Sequence, residues 1–396
     1  MAAAPHPSAF DHGAPRRILV RGTNWLGDAV MTMPALLRLR EYFPDAHITL
    51  LCPEKLSDLW RVAPKPVAVG LPRPAVDETI AFAPGEGVFV IAKKLRSRKF
   101  DLALVLPNSP RSALEVFFAR IPRRIGYARP WRKWFLTQNV EPRPDAVKMR
   151  KRTVEEIHKL TGEIPPSVAE KKSGLGNPRA HQIYEYLHLT AALGANPEPL
   201  APQLMVTADE IEAVRKKFGL ANGSPLVFGL NPGAEYGPAK RWPVEKFITA
   251  AKSLRSQTNC VWLVFGGQGD VNLTGQITAA LSDSSLHDSS APVHDLAGKT
   301  SLRELMALLK CCRVLLTNDT GPMHVAAALG TPVVAPFGST SPELTGPGLP
   351  GAARHRLLQS DAPCAPCFLR ECPIDFRCLN GISVARVVEA VLQAAR

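Results

Sequence analysis

The sequence has 396 residues, of which 45% are hydrophobic and 21% are charged, and its formal net charge is +13. This length and composition allow two buried cores of ordinary size, which argues against a disordered chain and favours two domains. No stretch approaches the roughly 18 consecutive apolar residues of a membrane-spanning helix, and the N-terminal residues lack the features of a signal peptide. We therefore expect a cytoplasmic protein with a disordered extension over residues 1–15.

The first half of the chain alternates between predicted strands and helices. Short apolar runs at residues 16–22, 47–53 and 101–109 predict strands, and helical spacing of apolar residues follows the first and the third run. Residues 63–87 are rich in proline and glycine and are predicted mainly as surface loop, with a brief strand at 67–72. A helix is predicted over 181–195, before a proline-rich segment that separates two domains.

The excess of positive charge lies in one segment of this half. Between Lys93 and Arg152, 17 lysines and arginines stand against four acidic residues, which accounts for the whole net charge. A concentrated basic surface attracts nucleic acid, an anionic membrane or a phosphorylated glycolipid. A solvated basic face without a partner is the alternative.

The same alternation restarts after residue 204 and continues to a last helix over 382–396, which could pack against either domain. The pattern predicts an α/β protein with two Rossmann-like, doubly wound parallel sheets and a cleft between the lobes. The predicted bounds are 16–203 for the N-terminal lobe, 204–378 for the C-terminal lobe with its cysteine-rich tail, and 379–396 for the C-terminal helix. Ligands of such sheets bind at the carboxyl ends of the strands.

Three strand-to-helix loops therefore become candidate sites, and the first covers residues 22–30. Gly22 and Gly27 permit close approach of the backbone, and Asp28 opens a helix. A carboxylate there either caps the helix and complements its dipole or performs chemistry. The loop lacks both the G-x-G-x-x-G spacing and the lysine-serine ending of nucleotide-binding fingerprints.

The second loop, residues 231–243, contains two glycines and the basic pair Lys240 and Arg241, just before Pro243. A lysine beside a helix start can clamp a diphosphate by combining a point charge with amide donors, and solvated surface is the alternative.

The third loop runs into an alanine-rich helix at residues 317–332. Thr320 and Gly321 offer hydroxyl and amide hydrogens to a phosphate, while Asp319 caps the helix or orients a ligand. His324 taken alone would more often be structural.

Together these loops resemble the heptosyltransferases of glycosyltransferase family 9, whose fold is the two-lobed GT-B arrangement. The resemblance covers most of residues 16–345, and residues 101–136 are similar to the type II enzymes in particular. The most specific C-terminal signatures are PGAEYGPAKRWP and TNDTGPMHVAAALGTPVVAPFGSTSPE.

The resemblance implies inverting transfer of L-glycero-D-manno-heptose from ADP-heptose to the first heptose of the Kdo–lipid A inner core of lipopolysaccharide, without a catalytic metal. It also implies that the N-terminal lobe binds the acceptor and the C-terminal lobe binds the nucleotide sugar. The family's catalytic carboxylate falls on Asp28. The implied donor-binding residues are Lys240, Asn318, Asp319, Thr320, Gly321, His324, Gly233 and Glu235. The implied acceptor-binding residues are Asn108, Ser109, Arg111, Arg123 and Arg124, with helix capping as the alternative for the first three.

The same resemblance gives the basic segment a partner. An acceptor with Kdo carboxylates and lipid A phosphates, held in an anionic leaflet, would be attracted to it, and Trp131 and Trp134 would serve as interfacial anchors. We expect a monomer that is peripheral to the inner face of the inner membrane and binds no nucleic acid.

Four cysteines lie outside the resemblance, at Cys364, Cys367, Cys372 and Cys378. Their spacing is similar to a metal knuckle, so a structural metal is one alternative beside reduced thiols and disulfides.

Three other functions compete with this assignment. A type I or type III heptosyltransferase differs only in its acceptor. A nicotinamide-dependent oxidoreductase would explain the alternation but should show a glycine fingerprint after the first strand. A nucleic-acid-binding protein would explain the charge but leaves the C-terminal loops without a role.

Overall fold

The computed structural model describes residues 13–61, 73–162, 177, 179–220, 226–282 and 291–396. The chain forms two compact units, one of Met1–Ala146 with His181–Met205 and the other of Val147–Ala180 with Val206–Arg396. Most of the predicted extension at 1–15 and the predicted brief strand at 67–72 lie outside the described residues.

The first unit is built on a parallel sheet. Its elements, numbered in chain order, are β1 (Arg17–Arg21), α1 (Leu26–Met31), α2 (Met33–Tyr42), β2 (His47–Pro53), β3 (Glu78–Phe82), α3 (Val88–Arg96), β4 (Leu102–Val105), α4 (Pro110–Phe118), β5 (Arg123–Tyr127) and β6 (Gln138–Val140). Two 3₁₀-helices cover Glu54–Trp60 and Lys133–Phe135. Helix α5 (Val154–Gly162) belongs to the second unit, whereas α6 (Ile183–Ala191) returns to the first.

The second unit repeats this plan. Its further elements are α7 (Ala208–Lys217), β7 (Val227–Asn231), α8 (Val244–Thr258), β8 (Val261–Val264), α9 (Val271–Ser282), β9 (Val293–Asp295), α10 (Leu302–Cys311), β10 (Val314–Thr317), α11 (Gly321–Ala328), β11 (Val333–Pro336), α12 (Pro342–Thr345), β12 (Arg356–Leu358), α13 (Arg377–Asn380) and α14 (Val384–Ala394). None of the helices in the described ranges has the length and apolar character needed to cross a lipid bilayer.

Strand order places the candidate loops. The first sheet runs β3-β2-β1-β4-β5-β6 and the second runs β12-β11-β10-β7-β8-β9, with every pair parallel. The central strands are buried on both faces, as parallel strands covered by helices must be. The order reverses between β1 and β4 and between β7 and β10, and ligands bind where it reverses.

One sequence-based expectation about the elements is wrong. Residues 63–87, predicted mainly as loop, contain the edge strand β3, which pairs with β2 from Thr49–Glu78 to Pro53–Phe82. The basic segment also contains two strands, β5 and β6. These strands are short and polar on part of their surface, so the apolar pattern alone did not reveal them.

The described part of 147–180, predicted in the first lobe, packs in the second unit. Ile157 of α5 is buried against Cys364 and Cys367, and the Arg152 amide donates to the Cys367 carbonyl at 3.0 Å. The last helix also packs in the second unit, where Val387 and Val391 join the core with Val314 and Val334.

Candidate active site

The loop after β7 is held close to the residues around it by glycines. A Cβ at Gly233 would lie 2.4 Å from a carboxylate oxygen of Asp270, and one at Gly237 would lie 2.5 Å from the Arg370 carbonyl oxygen. A larger residue at Gly233 would displace the Asp270 side chain, and one at Gly237 would require a shift of the backbone at Arg370. The loop then forms a single 3₁₀ turn that ends at Lys240.

Lys240 is held by a carboxylate from the neighbouring strand-end loop. Its Nζ donates to Asp319 Oδ2 at 2.7 Å, and the two side chains are 15% and 5% exposed. Thr340 Oγ1 donates to the same carboxylate oxygen at 2.7 Å. The Lys240 ammonium also lies 5.0 Å from the centre of the Tyr236 ring. A partly buried cation is thereby fixed at the point where the strand order of the second sheet reverses.

Asn318 joins these two loops. Its side-chain Nδ2 donates to the Pro232 carbonyl at 2.7 Å, and its Oδ1 accepts from the Trp242 amide at 3.0 Å. The residue is fully buried. Its side-chain amide is therefore used at both ends to hold the loops together, and contact of Asn318 with a donor stays a prediction.

The start of α11 offers backbone donors beside the ion pair. Thr320 precedes the helix without capping it through its side chain. Its hydroxyl instead accepts from Asn231 Nδ2 at 3.2 Å. Asp319 is bonded to Lys240, which favours the ligand-orienting alternative over the capping one. Gly321 opens the helix and His324 is buried in its first turns, so the amides of this end can serve an anion.

Glu235 lies on the loop after β7 and is exposed. The structure thus brings Gly233, Glu235 and Lys240 to one edge of the second sheet, together with Asp319, Thr320, Gly321 and His324.

Asp28 lies in the first turn of α1, just beyond the carboxyl end of β1. The residue before the helix is Trp25, and no side chain caps the helix. The Asp28 Oδ1 accepts from Gln182 Nε2 at 3.4 Å, and the same Nε2 lies 2.9 Å from the Tyr186 hydroxyl. Burial and the Asp28 charge raise the pKa of Tyr186 well above its ordinary value, so this phenol stays protonated beside the carboxylate.

Three of the predicted acceptor residues follow β4, the strand next to β1. Ser109 caps α4 by accepting from the Ser112 amide at 3.3 Å, which is the structural alternative for this residue. Asn108 Oδ1 accepts from Nη1 of the buried Arg132 at 3.2 Å, and burial lowers the pKa of Arg132 to about 10. Arg111 Nε donates to Glu115 Oε1 at 3.2 Å.

The other two predicted acceptor residues lie elsewhere. Arg123 and Arg124 begin β5, where they pair with Leu102 and Ala103 at the start of β4. They are therefore at the amino edge of the sheet, away from Asp28 and Asn108. Arg124 also donates to the Phe135 carbonyl at 2.7 Å and the Ile121 carbonyl at 2.5 Å. Their placement with the acceptor residues is corrected, because a strand separates these arginines from the loop.

Similarity to known proteins identifies the family. The protein-family model for glycosyltransferase family 9 (heptosyltransferase) matches residues 88–376. The chain belongs to glycosyltransferase family 9. It is 34% identical to lipopolysaccharide heptosyltransferase 2 of Salmonella typhimurium and 33% identical to that of Escherichia coli, in each case over 84% of this chain and 85% of the relative.

Solved structures agree with this assignment. The structure of E. coli ADP-heptose lps heptosyltransferase II is 28% identical and superposes with a TM-score of 0.70, covering 96% of this chain and 98% of that one. A family 9 glycosyl transferase from Veillonella parvula, at 22% identity and a TM-score of 0.72, covers 96% and 97% and shows the same fold. The predicted family, GT-B fold and glycosyltransferase class are confirmed, and the oxidoreductase alternative is removed.

Local sequence patterns do not indicate several residues at this family 9 site. Tyr186 lies on α6 and Gln182 immediately precedes that helix. The Gln182 side chain contacts Asp28 across 154 residues of sequence. Thr340 lies within a quoted signature but was not singled out. These contacts form only when distant elements pack together, so local patterns could not indicate them.

The clustered cysteines of this enzyme are free thiols. Burial, followed by the three neighbouring thiols, raises the pKa of Cys378 to about 12, and a metal would have to displace such protons. Among the residues that the structure describes, no group of three or more His, Cys, Asp or Glu side chains is arranged to hold a metal ion. The structural metal therefore stays a prediction.

Proposed function

We propose that this family 9 enzyme moves L-glycero-D-manno-heptose from ADP-heptose to the first heptose of the Kdo–lipid A inner core, with inversion at the anomeric carbon. The observation that carries the proposal is the Lys240–Asp319 pair beside an uncapped helix start, at the reversal of the second sheet. The names of the similar enzymes, which include an ADP-heptose transferase and two type 2 enzymes, support the choice of donor and acceptor.

The second unit supplies the donor side. The Lys240 ammonium has three N–H donors. One of them donates to Asp319, so another can donate to a diphosphate oxygen. Negative charge grows on the diphosphate as the bond from the heptose to ADP breaks. The ammonium and the amides at the start of α11 stabilise that charge without moving, because other side chains already hold them in place.

The first unit supplies the acceptor side. An inverting transfer needs a base that removes the proton of the attacking hydroxyl. In the proposal Asp28 is this base, and Gln182 orients its carboxylate from α6. Asn108 and Arg111, at the neighbouring strand end, bind polar groups of the acceptor.

No metal or cofactor takes part in the proposed chemistry, since Lys240 and the helix amides supply the positive charge that the leaving ADP needs. The proposal places the enzyme as a monomer in the cytoplasm, peripheral to the inner face of the inner membrane where the acceptor lies.

The type II acceptor is preferred over the other family acceptors on similarity. A type 1 enzyme of Pseudomonas aeruginosa is 28% identical over only 46% of this chain, whereas the two type 2 relatives match 84% of it.

The test is incubation of the protein with ADP-heptose and three separate acceptors: Kdo–lipid A, its monoheptosyl form and its diheptosyl form. Mass spectrometry should show one added heptose on the monoheptosyl form alone. Addition to Kdo–lipid A instead would assign the type I reaction, and addition to the diheptosyl form the type III reaction. No addition to any of them, by protein that binds ADP, would overturn the proposal.

A further inference from the structure

A row of four phenylalanines, and a pair of tryptophans next to it in the chain, lie on the surface of the first unit. No step of the proposed reaction uses them. The ring centroids of Phe89 and Phe118 are 4.7 Å apart, those of Phe118 and Phe117 are 5.4 Å apart, and those of Phe117 and Phe135 are 5.3 Å apart. Next to Phe135 in the chain, Trp134 contacts Trp131 at 6.1 Å. We call these residues and Val90 the aromatic surface: Phe89, Val90, Phe117, Phe118, Trp131, Trp134 and Phe135.

Some residues of the aromatic surface pack against the core of the first unit, and others are exposed to solvent. Phe118 and Phe135 pack against the buried core of the first unit. Phe89, Trp131 and Trp134, in contrast, are 70%, 72% and 66% exposed. Trp131 also has a φ of 64°, a left-handed conformation that costs free energy for a bulky residue. Exposed apolar side chains in such a group mark an interaction surface rather than chance exposure.

Positive charge surrounds the aromatic surface. Residues 88–136, which include all of it, contain twelve lysines and arginines against Asp101 and Glu115. Both acids are already bonded, Asp101 to the amides of Arg16 and Arg17 and Glu115 to buried Arg21. Lys94 pairs with Glu86 and Arg98 with Glu78, and Arg132 is buried, but the remaining lysines and arginines still make the exposed charge of α3, α4 and the following turns cationic.

We infer that the aromatic surface binds an anionic lipid bilayer, with its rings at the level of the headgroups and the surrounding cations on lipid phosphates. Aromatic rings prefer the boundary between headgroups and acyl chains, and each nearby lysine or arginine adds attraction to anionic lipid. Helix α3 supplies both kinds of group, since Phe89 and Val90 begin it and Lys93, Lys94 and Arg96 end it.

This inference rests on the proposed function only in that the acceptor there is a membrane lipid. A second copy of the chain is a poorer occupant, because a symmetric contact would bring two cationic rims together. A nucleic acid would match the cations and could stack its bases on exposed rings, but it leaves the exposed aliphatic Val90 without a role.

Co-sedimentation with vesicles tests the inference on the full chain. The protein should pellet with vesicles of phosphatidylcholine mixed with phosphatidylglycerol, should remain in solution with phosphatidylcholine alone, and should be released by salt. Trp131→Ser combined with Trp134→Ser should weaken binding about tenfold or more. Lys93→Gln combined with Lys133→Gln should weaken it about 25-fold, since each cation contributes about fivefold.

Matched substitutions in the second unit are the controls. Leu226→Ser with Val271→Ser removes two exposed apolar side chains, Lys216→Gln removes an exposed cation, and neither should change vesicle binding. Equal pelleting of wild type and the tryptophan variant overturns the inference, as does equal binding to both vesicle types. Binding of a single-stranded oligonucleotide without vesicle binding, or a dimer that the tryptophan variant converts to monomer, also overturns it.

A water-soluble, deacylated acceptor separates this inference from the proposed function. The tryptophan variant should transfer heptose to that acceptor at the wild-type rate, because no bilayer is involved. Vesicle binding without any heptosyl transfer would reject the proposed function and keep the membrane surface. Transfer to the soluble acceptor by a protein that does not bind anionic vesicles would reject the membrane surface and keep the proposed function.

Discussion

Replacement of Lys240 by Met tests the donor site and the burial of its ion pair together. The substitution keeps the apolar stem and removes the ammonium that lies 2.7 Å from Asp319. Breaking a fully buried pair costs about 3–5 kcal/mol. Here Thr340 still donates to the stranded carboxylate, so we expect a loss of about 2–3 kcal/mol in the free energy of unfolding.

The same substitution should weaken the binding of ADP. A charge-assisted hydrogen bond contributes about 1.5–3 kcal/mol, which corresponds to roughly 10- to 100-fold in the dissociation constant. Adding Asp319→Asn to Lys240→Met should restore most of the stability, because no buried charge is left unpaired. It should not restore ADP affinity, because the cation is still missing.

Calorimetric titration with ADP and urea unfolding measure the two effects. The control is Lys217→Met, which removes a pair of similar length, 2.6 Å to Glu304, whose side chains are 51% and 27% exposed. This variant should lose at most about 1 kcal/mol and bind ADP normally. Unchanged ADP affinity in Lys240→Met, in protein that remains folded, would refute the assignment of Lys240 to the diphosphate.

Four further predictions concern other parts of the chain. Asp28→Asn should abolish heptosyl transfer while ADP still binds, and full activity in this variant would remove Asp28 from the role of base. Gln182→Leu should lower kcat about tenfold and move the acidic limb of the pH–rate profile to higher pH, since the Asp28 carboxylate loses a hydrogen bond that favours its charged form. The control Gln138→Leu, which removes a side-chain amide bonded to the Ala192 carbonyl just after α6, should leave that limb in place. A shift of the limb in both variants would contradict a specific role for the Gln182 contact. Hydrogen bonds from Arg303 lower the pKa of Glu210 from 4.5 to about 2. The pair should therefore add up to about 1 kcal/mol to the free energy of unfolding above about pH 4.5, and this contribution should disappear as the pH falls toward about 2. In urea unfolding, the difference in stability between wild type and Glu210→Gln should shrink over that range, and a constant difference would count against the prediction. Zinc and iron measured in purified protein should approach one metal per chain if the four clustered cysteines form a structural site, and a ratio near zero in protein purified without chelator would reject that prediction.

Much of the fold followed from local patterns in the sequence. The strand predicted at 47–53 is β2 at the same residues, and the alternation predicted after residue 204 is present and continues to a last helix, α14. Apolar runs and helical spacing are local properties, so they indicate an element wherever it later packs. The edge strand β3 was missed because its surroundings are rich in proline and glycine and its own residues are mostly half-buried.

The sequence by itself determined the family and the loops at which chemistry was expected, because short glycine- and charge-bearing motifs after buried strands are readable without a partner. Tertiary structure alone decided which side chains share a site. In the folded chain Asp319 bonds both Lys240 and Thr340. Gln182, at the start of α6, contacts Asp28, and the Asn318 side chain joins two loops. Tertiary structure also moved Arg123 and Arg124 to the opposite edge of the sheet, since a strand carries the chain from one edge to the other.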